Sequence, residues 1–130
     1  MLLFKQKFLE AIRSGEKCQT IRLWKYRRMK AGQRSYIPGV GYIAITCVER
    51  VELDDLTDAD AVLDGFQTAD MLREEIYALY GVDALKRLRA YIIEFRVYPP
   101  NEQQAIAAEQ EKKRADKKAR QQLFRRFVFM

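Results

Sequence analysis

The alternation of apolar and polar residues along most of the chain predicts short strands and short helices. We predict an opening strand over residues 2–5 and a helix over residues 6–14, where Leu9 and Ile12 recur at helical spacing. Gly15 follows directly, and glycine is the residue that most often ends a helix. The pattern therefore predicts a strand and a helix at the start of the chain.

Four later segments have the alternation of β-strands. In the first of them, Ile21 and Leu23 fall on one face, while Thr20 and Arg22 fall on the other. The longest segment is apolar on both faces in its middle, which predicts a strand through the core. The four predicted strands are residues 19–24, 34–37, 41–53 and 89–98.

Two helices are predicted between the last two strands, each preceded by a threonine that can cap it. Thr57 precedes a short helix that ends at an Asp-Gly-Phe break over residues 64–66. Thr68 precedes a longer helix over residues 69–80. This arrangement of strands and helices indicates an α+β fold.

The composition changes after a Pro-Pro pair that ends the last strand. Residues 102–120 are rich in Ala, Gln, Glu, Lys and Arg and have no apolar stripe, which predicts a solvent-exposed helix. An apolar and basic tip follows over residues 123–130. We therefore predict a domain of residues 1–100 and a basic helical C-terminal tail of residues 101–130.

The composition also excludes several classes of protein. The chain has no histidine, which is the commonest metal ligand and acid–base group near neutral pH, so we expect no metal and no cofactor. The two cysteines suit a reducing compartment. No segment approaches the roughly 18 apolar residues of a membrane span, and the apolar start is too short for a signal peptide. We expect a cytoplasmic protein with no membrane partner.

Charge is segregated along the chain, whose formal net charge is +6. No acidic residue occurs from Lys17 to Val48, a window rich in lysine and arginine, whereas the segment from Glu49 to Glu75 is mainly acidic. A folded chain with a positive face attracts phosphates. The alternative is that the two blocks pair with each other at the surface.

The octapeptide GEKCQTIR at residues 15–22 has the pattern G-x-K-x-x-T-x-R, and the predicted elements around it follow a consistent order over residues 2–98. In both respects the chain resembles the ASCH domain family. The resemblance implies a PUA-like mixed β-barrel with short flanking helices, here followed by the C-terminal helical tail. It also implies a basic cleft beside the octapeptide that binds RNA or a nucleotide.

The same resemblance implies an enzymatic alternative. Some small members of the family resemble amidohydrolases that remove an acyl group from N4-acetylcytidine, and others have been assigned ribonuclease activity. Carried over to this chain, the base is Lys17 and the nucleophile is Thr20, whose hydroxyl attacks only when a base takes its proton. Arg22 would hold a phosphate or stabilise an oxyanion. The family's glutamate falls near Met71, which makes the neighbouring Asp70 the third catalytic candidate.

Three other acids are alternatives to Asp70 for the place that faces the cleft. They are Asp64, in the break before the longer helix, and Glu74 and Glu75, one turn further along that helix. A binding module without catalysis fits the same residues.

Aromatic and basic residues are interleaved in and after the octapeptide. Such a mixture holds single-stranded nucleic acid, with bases stacked on rings and phosphates on cations. The predicted partner is RNA or a modified nucleoside or nucleotide, and a further hypothesis is a homodimer formed through the C-terminal tail. The predicted nucleic-acid-binding residues are Lys17, Arg22, Trp24, Lys25, Tyr26, Arg27, Arg28 and Arg34.

Overall fold

Four antiparallel strands form one sheet in the first part of the chain. The computed structural model describes residues 1–128, and the chain divides into two units, Met1–Val97 and Tyr98–Met130. The strand order is β1-β4-β3-β2, so the last strand of the chain lies between the first and the third. The strands are β1 (Gln19–Trp24), β2 (Arg34–Ile37), β3 (Gly41–Val51) and β4 (Arg89–Val97).

The two central strands are the most apolar, because both of their faces are covered. Along β4, Tyr91 and Ile93 enter one core, while Ala90 enters the core on the opposite face. The register of β3 against β4 shifts between Ile45 and Cys47. Such a bulge bends a strand and increases its twist, in agreement with the curled sheet of the structure.

Three α-helices accompany the sheet in the first unit: α1 (Leu9–Ser14), α2 (Asp58–Leu63) and α3 (Ala69–Tyr80). Both predicted caps are confirmed. The Asp60 backbone N–H donates to Thr57 Oγ1 at 3.2 Å, and the Asp60 carboxylate accepts from the Thr57 N–H at 2.9 Å. Thr68 Oγ1 accepts from the Met71 N–H at 3.2 Å. On α3, Leu72 and Ile76 are buried.

The predicted opening strand is wrong. Residues 2–5 adopt no regular structure, and within that segment the backbone bond to the sheet runs from the Leu2 N–H to the Tyr36 carbonyl at 3.0 Å. The predicted helix after it begins with a short 3₁₀ turn, Gln6–Phe8. The third strand ends at Val51, two residues before its predicted end.

The barrel expectation holds only in part. The fold is α+β with a curled four-stranded half-barrel. Within residues 1–128 every strand pairing is antiparallel rather than mixed, and the outer strands β1 and β2 do not pair with each other. The sheet stays open in this structure, and residues 2–5 do not extend either edge as a strand.

The second unit consists mainly of one long helix, α4 (Pro100–Val128). Proline suits the first position of a helix, because the N–H that it lacks has no partner there. The predicted helix is therefore real but longer, since it begins at the proline and includes most of the apolar tip. Four large apolar side chains near its end are exposed: Leu123, Phe124, Phe127 and Val128. Phe129 and Met130 lie outside the described residues.

Among the described residues, no helix combines the length and the apolar character needed to cross a bilayer.

Candidate functional site

A cavity of about 320 Å³ lies beside β1 in the first unit. Its walls come from the N-terminal segment, from β1 and from one side of α3, and they include Lys17, Thr20 and Arg22. Three residues of the predicted signature therefore border one cavity. The walls also include Phe4, Lys5, Phe8, Asp64, Phe66 and Glu75.

The end of α1 directs Lys17 toward this cavity. Gly15 has a φ of 86°, which lets the chain reverse directly after the helix. The Lys17 N–H then donates to the Ala11 carbonyl at 3.0 Å. The Lys17 side chain is 2% exposed. A lysine is almost never buried to this extent unless its charge is paired.

The partner of Lys17 is Asp64, itself 3% exposed. Lys17 Nζ lies 2.6 Å from Asp64 Oδ1 and also donates to the Asp64 backbone carbonyl. Gln19 Nε2 donates to Asp64 Oδ2 at 3.3 Å and to the Asp60 carbonyl at 2.9 Å. Both carboxylate oxygens are thereby bonded, and the lysine and the acid form one buried network.

Aromatic rings surround the ammonium group. Lys17 Nζ lies 5.0 Å from the centroid of the Phe8 ring, 5.7 Å from that of Phe4 and 5.9 Å from that of Phe66. A cation within about 6 Å of a ring face is attracted by the ring quadrupole. The rings also exclude water, so the ion pair lies in apolar surroundings.

The break after α2 brings Asp64 to this position. Gly65 adopts a φ of 91°, and a Cβ added there would lie 3.5 Å from Lys17 Cδ. The Phe66 N–H donates to the Ala61 carbonyl at 2.8 Å. The sequence Asp-Gly-Phe therefore ends the helix, turns the chain and places an acid and an aromatic ring next to Lys17.

Burial shifts the pKa values of both partners toward their neutral forms. It lowers the pKa of Lys17, and the neighbouring Asp64 carboxylate partly offsets this effect. It raises the pKa of Asp64, and Lys17 and Gln19 partly offset that effect. A lysine with a lowered pKa in a cavity is better suited to act as a base than an exposed one.

Thr20 and Arg22 lie on the face of β1 that borders the cavity. Arg22 Nε donates to Thr20 Oγ1 at 3.2 Å, and Arg22 Nη2 donates to the Leu3 carbonyl at 2.7 Å. The guanidinium carbon lies 4.8 Å from the Phe4 ring centroid. Burial lowers the pKa of Arg22, although a guanidinium keeps its charge in proteins.

A second carboxylate, Glu75 on α3, borders the cavity. Its Oε1 lies 3.1 Å from Lys5 Nζ and 3.5 Å from Lys7 Nζ. The hydrogen bond from Lys5 lowers the pKa of Glu75. These contacts tie α3 to the N-terminal segment, whose residues form one wall of the cavity.

The structure thus separates the four candidate acids. Asp64 and Glu75 line the cavity. Asp70, the tentative catalytic acid, has a side chain that is 87% exposed and pairs with Arg73 Nη2 at 2.8 Å. Glu74 is exposed as well. The reason is angular, because successive residues of a helix are rotated by about 100°.

The predicted nucleic-acid-binding residues that follow β1 do not line this cavity. Lys25 follows the opposite end of β1, roughly 17 Å along the strand from Thr20. Lys25, Tyr26, Arg27 and Arg28 are exposed, as is Arg34 at the start of β2. With Lys5, Lys17 and Arg22 facing Asp64 and Glu75, the cavity wall is mixed in charge.

Two residues of that basic segment have structural contacts. Trp24 is 9% exposed, and its ring centroid lies 5.4 Å from that of Tyr91, so the ring belongs to the core. Arg27 Nη1 donates to the Val48 carbonyl at 2.8 Å. Tyr26 is 72% exposed and is the aromatic side chain of this segment that solvent reaches.

Sequence reasoning missed the aromatic wall and the role of Gln19. Phe4 lies in the predicted opening strand and Phe8 in the predicted first helix, where an apolar residue indicates only burial. A signal was present for Gln19, a polar residue at the start of a strand whose other side chains are largely buried. Among residues 1–128, no three acidic or cysteine side chains gather closely enough to hold a metal ion.

Comparison with solved structures identifies the fold. The chain superposes on the crystal structure of an ASCH domain from Lactobacillus crispatus with a TM-score of 0.58, at 15% identity, over 68% of this chain and 69% of that one. The curled sheet and its helices therefore have the ASCH-type fold, and the resemblance predicted from the sequence is confirmed at the level of the fold.

Two further structures agree. The hypothetical protein PH0355 gives a TM-score of 0.61 at 18% identity, over 74% of this chain and 95% of that one. Protein EF3133 from Enterococcus faecalis, of the family DUF984, gives 0.55 at 17% identity, over 70% and 69%. No family model and no curated protein matches the sequence.

Proposed function

We propose that this protein binds a nucleoside or nucleotide, free or within RNA, in the cavity beside β1. The observation that carries this proposal is that Lys17, Thr20 and Arg22 of the G-x-K-x-x-T-x-R pattern border one cavity. The resemblance of this pattern and of the fold to ASCH domains, a family associated with RNA binding, is the reason to connect that space with RNA components.

The dimensions and chemistry of the cavity support this assignment. Its volume of about 320 Å³ is at the lower end of the range of about 300 to 1,000 Å³ for small-molecule sites. Aromatic rings offer stacking surfaces to a base. Thr20 and Arg22, which are hydrogen-bonded to each other at 3.2 Å, are polar groups that can orient a ligand.

The proposal can be tested by blocking the mouth of the cavity. Leu79 lines the cavity and is 55% exposed, so Leu79→Trp would fill space there without removing a core side chain. The matched control is Val82→Trp, at a residue that is 75% exposed and does not line the cavity. We expect Leu79→Trp to weaken binding by at least about tenfold, because the larger side chain keeps the ligand from its contacts inside the cavity.

Calorimetric titration with the four ribonucleosides, their monophosphates and a short single-stranded RNA at low salt would measure this effect. Binding that is unchanged in Leu79→Trp, or no binding of any of these probes to the wild type, would overturn the proposal.

A hydrolase is the second candidate, favoured by the contacts of Thr20. Arg22 Nε donates to Thr20 Oγ1, which stabilises a developing alkoxide, and Lys17 with its lowered pKa borders the same cavity. Lys17 Nζ is engaged by Asp64 and has no hydrogen bond to Thr20. It would therefore have to leave the acid to act as the base.

Incubation with N4-acetylcytidine, followed by chromatographic detection of cytidine and acetate, tests this candidate. Turnover should persist in Thr20→Ser, which keeps the hydroxyl, and disappear in Thr20→Val, which keeps the shape. Equal turnover in the two variants, or none in the wild type with this substrate and with RNA, would count against it.

For the second unit we propose that two copies of α4 pair antiparallel. The first part of the helix carries Glu102, Glu109 and Glu111 and no basic residue, whereas residues 112–126 are strongly basic. Antiparallel pairing would bring these oppositely charged parts together and cover the exposed Phe124 and Phe127.

Sedimentation equilibrium of the full chain should then give a mass that rises with concentration toward the dimer. The double variant Phe124→Glu/Phe127→Glu should be monomeric, while the control Gln121→Glu, also at an exposed position of α4, should behave like the wild type. A wild-type mass that stays monomeric at all concentrations removes this proposal.

A further inference from the structure

The charges that border the cavity are paired, with one exception. Lys17 is paired with Asp64 at 2.6 Å, and Lys5 is paired with Glu75 at 3.1 Å. Arg22 also borders the cavity but has no carboxylate partner among the described residues. After the two pairs cancel, one positive charge remains, and it belongs to Arg22.

Arg22 has hydrogen-bonding capacity left over. A guanidinium carries five N–H donors. One donor on Nε is used by Thr20 Oγ1, and one on Nη2 by the Leu3 carbonyl. Three donors, including both on Nη1, therefore have no bond within the described residues. Both protein acceptors are neutral, so no carboxylate is hydrogen-bonded to the guanidinium among the described residues, although the Asp64 carboxylate across the cavity attracts it.

The guanidinium group is also held in place. Its bonds to Thr20 and Leu3 hold two of its nitrogen atoms, and the Phe4 ring lies 4.8 Å from its central carbon. A group that is fixed before the ligand arrives loses little entropy on binding. A fixed, partly buried cation with free donors has the properties of a site for an anionic oxygen group.

We propose that Arg22 binds a phosphate of the ligand, so that the cavity takes a nucleotide, free or as a unit of RNA, in preference to a neutral nucleoside. This inference rests on the proposed function of the cavity and specifies it. The aromatic wall holds the base, and the three unused donors of Arg22 hold phosphate oxygens. The phosphate neutralises the one charge that the fold leaves unpaired.

The test compares ligands that differ only in the phosphate. Calorimetric titrations of the wild type would use each ribonucleoside, its 5′-monophosphate, its 3′-monophosphate and a dinucleotide containing it. We expect at least one phosphorylated form to bind about 10- to 100-fold more tightly than the nucleoside, the range for charge-assisted hydrogen bonds. A gain for a monophosphate indicates a free nucleotide, and a gain for the dinucleotide alone indicates RNA.

Variants of Arg22 then show whether this residue causes the tighter binding of phosphorylated ligands. Arg22→Gln should bring the affinity ratio of phosphorylated to unphosphorylated ligand close to one. Arg22→Lys, which keeps the charge but loses the planar fork, should retain part of it. The control is Lys86→Gln, at an exposed lysine paired with Asp83 far from the cavity lining, and it should leave the ratio unchanged.

The possible failures are distinguishable. If nucleosides bind as tightly as every phosphorylated form, or if the gain survives in Arg22→Gln, the phosphate inference is wrong while the proposed function stands. If no ligand binds, both are wrong. If Arg22→Gln does not fold, the conservative Arg22→Lys attributes the gain, since an affinity ratio equal to that of the wild type would contradict the role of the guanidinium.

Discussion

At the scale of residues, the site depends on the buried ion pair between Lys17 and Asp64. Transferring both charged groups out of water costs free energy, and their mutual attraction offsets this cost only when further hydrogen bonds are present. Gln19 and the Asp64 backbone carbonyl supply the additional hydrogen bonds that such a pair needs. The pair therefore selects one arrangement of the break after α2 more than it stabilises the fold.

Removal of one partner should be strongly destabilising. Lys17→Met leaves a buried carboxylate without its cation, and we expect a loss of about 3 to 5 kcal/mol in the free energy of unfolding. Urea denaturation followed by circular dichroism measures it. In the double variant Lys17→Met/Asp64→Asn the loss should be smaller than the sum of the single losses, because the uncompensated charge is gone.

The exposed pair of Lys86 and Asp83 provides the matched control. Its charged atoms lie 3.2 Å apart, and both side chains are more than three-quarters exposed. Lys86→Met should therefore cost less than about 1 kcal/mol. Similar losses for Lys86→Met and Lys17→Met would contradict the view that burial makes the inner pair sensitive.

Glu75 should contribute a pH-dependent stability. Its pKa lies below the ordinary value of 4.5, because Lys5 donates a hydrogen bond to its carboxylate. A lowered folded-state pKa gives stability that is present above pH 4.5 and is lost as the pH falls through the folded-state pKa. Glu75→Gln should thus be less stable than the wild type at neutral pH, by under about 1 kcal/mol for such a pair.

Thermal unfolding across this pH range tests the sign. The difference between wild type and Glu75→Gln should shrink as the solution is acidified. A difference that grows on acidification would show that the carboxylate is held in its neutral form.

At the scale of elements, α2 is the helix on which the position of Asp64 depends. It has only six residues, and helices this short are not stable on their own. At its N-terminal end, a capping box links Thr57 and Asp60 by hydrogen bonds. Just past its C-terminal end, Gly65 turns the chain. The caps therefore hold the element that presents the acid.

Removal of the cap should loosen this end of the site. We expect Thr57→Ala to cost about 1 kcal/mol, while Thr57→Ser, which keeps the accepting oxygen, should cost only a few tenths. Chemical denaturation gives both values. Amide hydrogen exchange at residues 58–64 should rise in Thr57→Ala, and unchanged exchange there would argue that tertiary packing alone maintains the helix.

At the scale of the whole molecule, the acid-free stretch of the sequence divides between two places. Lys17 and Arg22 border the cavity, whereas the exposed Lys25, Tyr26 and Arg28 lie beyond the far end of β1. In the proposed binding mode, a single nucleotide occupies the first place. A longer RNA strand is needed to reach the second as well.

RNA and mononucleotide binding should consequently respond differently to salt and to mutation. Arg28→Ala should lower the affinity for a short single-stranded RNA and reduce the slope of log K against log salt by about 0.7, the value for one phosphate contact. Its effect on a mononucleotide should be much smaller. Fluorescence anisotropy at several salt concentrations measures both ligands, with Lys86→Ala as the control for loss of one exposed charge.

One outcome would contradict the division of the basic residues between the cavity and the far end of β1. If Arg28→Ala weakens a mononucleotide and the RNA to the same extent, the basic residues and the cavity act on the same part of the ligand.

The sequence by itself determined the features that depend on neighbouring residues. The strand of Thr20 and Arg22, the caps at Thr57 and Thr68 and the long terminal helix were all predicted, because periodicity and capping act over a few positions. The signature octapeptide also indicated the correct fold, since its order among the elements follows from the same local signals.

Only the tertiary structure decided which distant residues meet. Lys17 is paired with Asp64, 47 positions away, and not with Asp70, because helix rotation turns Asp70 to solvent. Residues 2–5 have the composition of a strand but form none, and Leu3, Phe4 and Lys5 border the cavity instead. Trp24 is covered by Tyr91. These outcomes depend on how the elements pack, and packing involves contacts between residues that no local pattern relates.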